Sequence, residues 1–238
     1  MKLKDKVTVI TGGAKGIGFA YARRFARDGA PVVIGDIADE AGAKAVKAIE
    51  NAGGKALYVR CDVTKKAETE ALFSAAMKRF GHVDIAIANA GIVHDAAFMD
   101  LAEKDFDRVM TVNVKGVFLT GQSAARAMIA GGKGGVIINI TSTNAVVVQM
   151  GQVTYPVAKG AVNLLTKVEL LPDFNLFVNL AVFVPGQYYK DFTGMNVGGK
   201  KFEKAFYNED PASNVVATDL YLNSNNAYHV NVGFSFKF

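Results

Sequence analysis

Thr11-Gly12-Gly13-Ala14-Lys15-Gly16-Ile17-Gly18 is the stretch on which the fold turns. It follows a short apolar run, Lys6–Ile10, and leads into Phe19–Asp28, where Phe19, Ala22, Phe25 and Ala26 recur at helical spacing until Gly29. A strand, a glycine-rich turn and a helix in that order open a βαβ unit. Glycines in such a turn let the backbone approach a phosphate, and the helix that follows offers free N–H groups and the positive end of its dipole. A glycine cluster alone also suits a plain strand-to-helix turn; the rest of the chain decides.

The alternation continues outward from that turn. Pro31–Gly35 is a second apolar run closed by Asp36, and Ala41–Ala52 is helical up to Gly53-Gly54. Ala56–Arg60, closed by Cys61-Asp62, precedes a helix at Ala67–Phe80, and Val83–Ala88 runs into Asn89-Ala90-Gly91. Glu103–Ala130 reads as one long helix, Gly131–Gly135 as a glycine-rich turn, and Val136–Ile140 as a fifth strand with Ser142 just past its end. Strands alternating with helices predict an α/β fold, a Rossmann-like doubly wound parallel sheet flanked by helices. Right-handed crossovers put the carboxyl ends of the strands on one edge, where ligands bind. Gly12, Asp36, Asp62, Asn89 and Ser142 all fall on that edge. The expected organisation is a single domain over 1–238, with a cofactor-binding and catalytic core at 1–170 and a divergent substrate-loop and strand segment at 171–238.

Composition agrees with a packed domain. Half of the 238 residues are apolar and 21% are charged, the balance of a globular protein rather than of a disordered, collagen-like or coiled-coil chain. The single cysteine, Cys61, excludes an internal disulfide, and it reads as a small buried filler. The three histidines and one cysteine do not cluster, so no metal is expected. The charge of +5 is scattered and mixed with acids, which argues against nucleic acid as a partner. No segment has the length of a membrane span or of a signal peptide, and a cytoplasmic location with no membrane partner is expected.

Asp36 gives the glycine turn its meaning. It ends the second strand at the position from which a carboxylate accepts from the ribose hydroxyls of NAD and repels a 2′-phosphate. NAD is therefore preferred over NADP, although Lys15 is a cation that suits the phosphate. Asp62 closes the third strand, where it either accepts from the adenine amino group or caps the helix that follows.

Ser142, Tyr155 and Lys159 form the second constellation. Tyr155 and Lys159 are four residues apart and share a helix face. A nearby ammonium and the positive nicotinamide ring are expected to lower the phenol's pKa and make it a usable base, while Ser142 binds the substrate oxygen. Pro156 lacks an N–H, so the helix carrying the pair must start near Thr154.

Together these residues resemble the short-chain dehydrogenase/reductase family over residues 4 to 170. Asn89-Ala90-Gly91 is similar to a family signature beside the cofactor, and Asn113 to a helix asparagine that holds a proton-relay water. The spacing of thirteen from Ser142 to Tyr155 is the family's. The resemblance implies catalytic residues Asn113, Ser142, Tyr155 and Lys159. It implies a cofactor set of Gly12, Lys15, Gly16, Ile17, Gly18, Asp36, Asp62, Val63, Asn89, Ala90, Gly91, Tyr155, Lys159, Pro185, Gly186 and Thr193. Asn144, Gln149, Gln152 and His94 join Ser142 on the substrate side. The implied activity is NAD-dependent interconversion of a secondary alcohol, polyol or sugar hydroxyl with its carbonyl. The family also implies a homo-oligomer, tetramer or dimer, built through long central helices and the final strand.

Beyond Glu169 the resemblance thins. Ten of fifteen asparagines and nine of sixteen phenylalanines lie from Asn163 onward, and no arginine follows Arg126, so the composition itself changes. Phe177-Val178-Asn179 and Val184-Pro185-Gly186 are similar to a sixth strand and its Pro-Gly, with two extra residues between them. Thr218–Asn226 faintly resembles a last helix. The ending Tyr228–Phe238 alternates apolar and polar residues, as a final half-buried sheet strand does; an outer-membrane barrel strand has the same pattern. A chimeric, misread or designed tail fits the composition break, as does an NAD-binding module whose catalysis is impaired by that tail.

Overall fold

The computed structural model describes residues 3–132, 134–145 and 151–165, and beyond them the backbone of four strands. Five strands build the front of the sheet: β1 (Thr8–Thr11), β2 (Val32–Asp36), β3 (Ala56–Arg60), β4 (Ile85–Ala88) and β5 (Val136–Ile140). Between and after them run α1 (Gly16–Arg27), α2 (Asp39–Asn51), α3 (Lys66–Phe80), α4 (Glu103–Met110), α5 (Gly116–Ala130) and α6 (Thr154–Leu165). β6 (Asn175–Val182), β7 (Asn196–Val197), β8 (Lys200–Lys201) and β9 (Tyr228–Ser235) follow.

The main sheet is ordered β3-β2-β1-β4-β5-β6-β9. From β3 to β6 every pairing is parallel, with Thr11 opposite both Gly35 and Ala88. The chain winds outward from β1 to β3, then returns to the other side of β1 at β4. That reversal opens a crevice above β1 and β4, the usual ligand position in such sheets. Gly12, Asn89 and Ser142 follow β1, β4 and β5, and Asp36 ends β2, at the crevice edge.

Strand periodicity splits the core in two. Val9, Val33 and Ala86 pack with Leu72, Phe73 and Ala124 from α3 and α5. Their neighbours Ile10, Ile34 and Ile87 pack on the other face with Ala22, Ala45 and Ile49 from α1 and α2. Strands buried on both faces read as unbroken apolar runs, which is how they stand in the sequence. Helix ends follow local chemistry. α1 carries Arg24 and Arg27 in its last turn and stops where Gly29 adopts φ +96° and Ala30 N–H bonds the Phe25 oxygen.

The expected boundaries move in two places. α1 begins at Gly16, ahead of the apolar stripe that starts at Phe19. The long helix expected over Glu103–Ala130 is not uniformly α-helical: Thr111–Lys115 widens into a π-turn between α4 and α5. The cause is Asn113, whose side chain is drawn to the backbone of Ile92, and the start of α5, where Gly116 lies so close to Val63 that a Cβ would come within 2.7 Å of its Cγ2. The tail strand joins the same sheet, but β9 runs antiparallel to β6, from Asn175↔Ser235 to Val182↔Tyr228. Phe177-Val178-Asn179 falls inside β6. α6 starts at Thr154 and places Pro156 in its first turn, as the missing N–H requires.

Gln149, Pro185, Gly186, Thr193 and the segment 218–226 lie outside the described residues. Among the described residues no helix is long and apolar enough to cross a membrane.

Leu72 is fully buried between α3 and the sheet. Leu72→Ala should lower the unfolding free energy by about 2–5 kcal/mol in a urea titration. A loss below ~1 kcal/mol would contradict this packing.

Candidate active site

The glycine turn is held by backbone contacts that leave no room for side chains. Gly12 has φ +64°, and a Cβ there would meet the Ala90 Cα at 2.9 Å. A Cβ on Gly18 would run into the Gly12 carbonyl oxygen and the Asn89 amide nitrogen, so the first turn of α1 sits directly on the end of β1. Asn89 fastens the arrangement: its Nδ2 donates to the carbonyl oxygens of Thr11 (3.0 Å) and Gly12 (3.1 Å). The Thr11 hydroxyl in turn accepts from the Asn89 and Ala90 amides. Gly16 opens α1 with free space around it, and Lys15 makes no side-chain capping bond. The first N–H groups of α1 thus face the crevice without a side chain over them.

Asp36 closes the far wall. Its carboxylate accepts from the Ala14 amide (3.0 Å) and the Ala38 amide (3.1 Å). A carboxylate has about four acceptor positions, so capacity remains for hydroxyl donors. The Tyr58 hydroxyl lies 2.8 Å from the Asp36 main-chain oxygen and 2.9 Å from Asp39 Oδ1, and it steadies this strand end. Two large aliphatic residues stand exposed here, Ile17 (57%) and Ile37 (61%). A groove of about 520 Å³ beside them is bounded by Lys15, Ala38, Asp39, Glu40, Ala41 and Lys44.

Asp62 departs from the capping role set out as its alternative. α3 begins at Lys66 with Lys65 as its flanking residue, so Asp62 is not the helix cap. It accepts instead from the Thr64 amide (3.0 Å) and hydroxyl (2.7 Å), closing the turn before the helix. Burial works against its charge, but the Thr64 bonds outweigh it and hold the carboxyl below its usual range. Val63 is buried against Gly116, tying the third strand's loop to α5. Cys61 is buried and its thiol pushed up to about 12, chiefly by desolvation, so it behaves as an inert filler.

The second cluster gathers on the other side of the crevice. Asn113 is fully buried; its Oδ1 accepts from Ile92 N–H and its Nδ2 donates to the Ile92 oxygen, both at 2.8 Å. A Cβ on Gly91 would lie 3.3 Å from Asn113 Oδ1 and 3.8 Å from Lys159 Nζ, so Gly91 brings the two close. Lys159 is 3% exposed and donates to the Ile140 oxygen at 2.7 Å. Burial pushes its pKa down to about 8. Its ammonium stands over the Tyr155 ring, 5.6 Å from the centroid.

At the phenol, burial sets the sign of the shift. Burial pushes the Tyr155 pKa above its ordinary value, and the Ser142 hydroxyl, hydrogen-bonded to the phenol, pulls it part of the way back. Desolvation also weighs against the charge of Lys159, the group expected to lower it.

The substrate-side residues are mostly engaged with one another. Asn144 takes the Ser142 hydroxyl oxygen as an acceptor for its amide (3.2 Å) and donates its Nδ2 to Gln152 at 2.6 Å. His94 turns its ring to α4, with Arg108 at 3.5 Å and Asp105 at 3.7 Å. Sequence reading placed Thr11 in the glycine turn without its role, and missed Ile37, Tyr58 and Ile92. The alternation of apolar and polar residues at Asp36-Ile37 was the only signal for Ile37; the others act through backbone bonds that no motif displays.

Comparison with known proteins places this geometry. The profile of the short chain dehydrogenases matches residues 6–191. An uncharacterised oxidoreductase of Methylorubrum extorquens is 37% identical over 215 residues, 88% of this chain and 84% of that protein. The 2,5-dichloro-2,5-cyclohexadiene-1,4-diol dehydrogenase LinX of Sphingobium indicum is 36% identical over 78% of this chain and 74% of its own. A short-chain type dehydrogenase/reductase from Mycobacterium marinum superposes with a TM-score of 0.68 at 38% identity, over 70% of this chain and 66% of that one.

The depressed lysine makes a pH prediction. Lys159 falls from its ordinary value of 10.5 to about 8 in the folded protein. Between those values the unfolded chain binds more protons, so stability contributed by this group rises with pH across that window. The wild-type unfolding free energy minus that of Lys159→Met, from urea titrations, should therefore increase from pH 8 to pH 10. A flat difference would contradict the buried ammonium.

Proposed function

The chain belongs to the short-chain dehydrogenase/reductase family, an oxidoreductase acting on CH–OH groups with a nicotinamide cofactor, and we propose that it uses NAD to interconvert a secondary alcohol, polyol or sugar hydroxyl with its carbonyl. The observation that carries the reading is the convergence of Ser142, Tyr155, Lys159 and Asn113 beside a glycine turn that has no room for side chains at Gly12 and Gly18. One relative is named for a diol, a CH–OH substrate.

The residues fit a dinucleotide. The open first turn of α1 at Gly16 takes the pyrophosphate, and Asp36 takes the ribose hydroxyls. Ile17 and Ile37 offer apolar surface to the rings, and Asp62, Val63, Asn89, Ala90 and Gly91 complete the proposed set. Asp36 favours NAD because a 2′-phosphate would meet its charge. Lys15 and Lys44 favour the phosphate, but Asp39 and Glu40 share their groove and offset them.

A bound nicotinamide would supply the hydride acceptor for the carbinol carbon, or the donor in the reverse direction. Tyr155 takes the hydroxyl proton in oxidation and gives it back in reduction. Ser142 orients the substrate oxygen beside the phenol. Lys159 holds a positive charge over the ring, where it stabilises the phenolate once formed, and binds the nicotinamide ribose. Asn113 connects the proton to solvent through water. Its side chain is occupied by Ile92, so that connection runs through its main-chain oxygen in the π-turn. The protein is expected in the cytoplasm.

A homo-oligomer completes the reading. Phe118 (46%) and Leu164 (66%) are exposed on α5 and α6. Beside them Asp107, Met110, Thr111, Val114, Lys115, Phe118 and Leu165 bound a surface groove of about 480 Å³. An apolar face of this kind on the central helices suits a second copy of the chain.

NADH formation at 340 nm should appear with a panel of polyols, sugars and secondary alcohols, rising with pH as the phenol ionises. Tyr155→Phe should lower kcat by about 10²- to 10⁴-fold. NAD should bind at least about ten-fold more tightly than NADP, equivalent to ~1.4 kcal/mol. NAD binding without turnover of any alcohol would instead support a cofactor-binding module. In light scattering the wild type should be a dimer or tetramer and Phe118→Glu a smaller species; a monomeric wild type would overturn the oligomer.

A further inference from the structure

Two buried threonines outside the sets above hold α6, one at its first residue and one at Lys159 in its middle. Thr154 is 0% exposed, opens α6 and donates its hydroxyl to the main-chain oxygen of His94 at 3.3 Å. Thr141 is 7% exposed, stands one residue before Ser142 and donates to the main-chain oxygen of Lys159 at 3.0 Å. In both cases a hydroxyl sits where valine would fill nearly the same volume, and in both it satisfies a carbonyl that would otherwise lack that partner.

The two bonds tie α6 to different loops. His94 belongs to the segment after β4, whose Ile92 is gripped at N–H and oxygen by Asn113. The same segment bonds the approach to α6, with Ala96 N–H donating to the Gly151 oxygen at 3.1 Å. A continuous strap therefore runs from Asn113 through Ile92, His94 and Thr154 to Tyr155, one peptide further on. The His94 ring, set against Asp105 and Arg108, gives the strap a third hold on α4. On the other side the end of β5 grips Lys159 twice. Ile140 accepts from its ammonium and Thr141 donates to its backbone oxygen, and Ser142 follows at once.

Resting on the proton-transfer role given to Tyr155 above, we propose that Thr141 and Thr154 are positioning residues of this oxidoreductase. Thr141 sets α6 against Ser142, and Thr154 sets Tyr155 against Asn113. The phenol has only its own two side-chain torsions left to adjust, so both distances are fixed before substrate arrives. Such geometry is demanding: a displacement of about 1 Å can cost about 100-fold in rate.

The experiment compares Thr141→Val and Thr154→Val with Thr141→Ser and Thr154→Ser in the full chain, reading kcat and its pH profile, the Kd for NAD and the thermal midpoint. Each valine variant should lose about 10- to 100-fold in kcat for alcohol oxidation while NAD binding is kept. Thr141→Val should also shift the rise of kcat to higher pH, because the Ser142 hydrogen bond is what restrains the Tyr155 pKa. The serine variants, which keep the donor, should restore rate and profile. Valine variants that lose only thermal stability, with kcat and pH profile unchanged, would overturn the proposal, as would serine variants as impaired as the valine ones. If a valine variant fails to fold, the alanine variant assayed below its midpoint replaces it on the same readouts. Tyr155→Phe runs alongside. Full rate in that variant sinks the underlying reading, whereas lost rate there with intact valine variants sinks only the positioning of α6.

Discussion

The amide of Asn89 joins two strands that are distant in sequence and adjacent in space. Its two hydrogen bonds, to Thr11 and Gly12, fix the end of β4 to the turn that follows β1. Gly18 can then rest on the Gly12 carbonyl, which sets the axis of α1 and points its first N–H groups at the crevice. Without that tie the glycine turn would be a loop with several conformations. With it, the turn is a preformed surface whose shape depends on three residues without side chains and one with an amide.

A second knot of the same kind holds the reacting side. The Asn113 amide closes on Ile92, and Lys159 closes on the end of β5 with its ammonium and its backbone oxygen. Both knots use a polar side chain to satisfy backbone groups at strand ends, where the sheet no longer does so. The consequence for chemistry is electrostatic. Burying Lys159 and Tyr155 together disfavours charge on both, which brings the lysine down to about 8 and moves the phenol further above neutral pH.

Much of this was readable from residue order. The five apolar runs predicted the sheet because strands buried on both faces need no polar alternation, and the positions after them predicted the crevice edge. Pro156 fixed the start of α6 through its missing N–H. What escaped reading had a common cause: contacts to backbone. The π-turn at Asn113 looks like uninterrupted helix in sequence because its trigger, the Ile92 amide and carbonyl, lies on another loop. The raised Tyr155 pKa was not legible because spacing shows proximity and not burial. Asp62 showed its residue type but not its partner, and Thr64 two positions later takes it. The antiparallel direction of β9 is set by where the chain re-enters the sheet, which alternation in Tyr228–Phe238 does not encode.

The central claim is that the crevice above β1 and β4 receives a nicotinamide dinucleotide in one orientation. A crystal structure of the chain with NAD tests it most directly. The account predicts the pyrophosphate at the first turn of α1 beside Gly16, the adenosine ribose hydroxyls on Asp36, and the nicotinamide ring between Gly91 and Tyr155. A dinucleotide bound away from this edge, or a ribose that leaves Asp36 untouched, would contradict it.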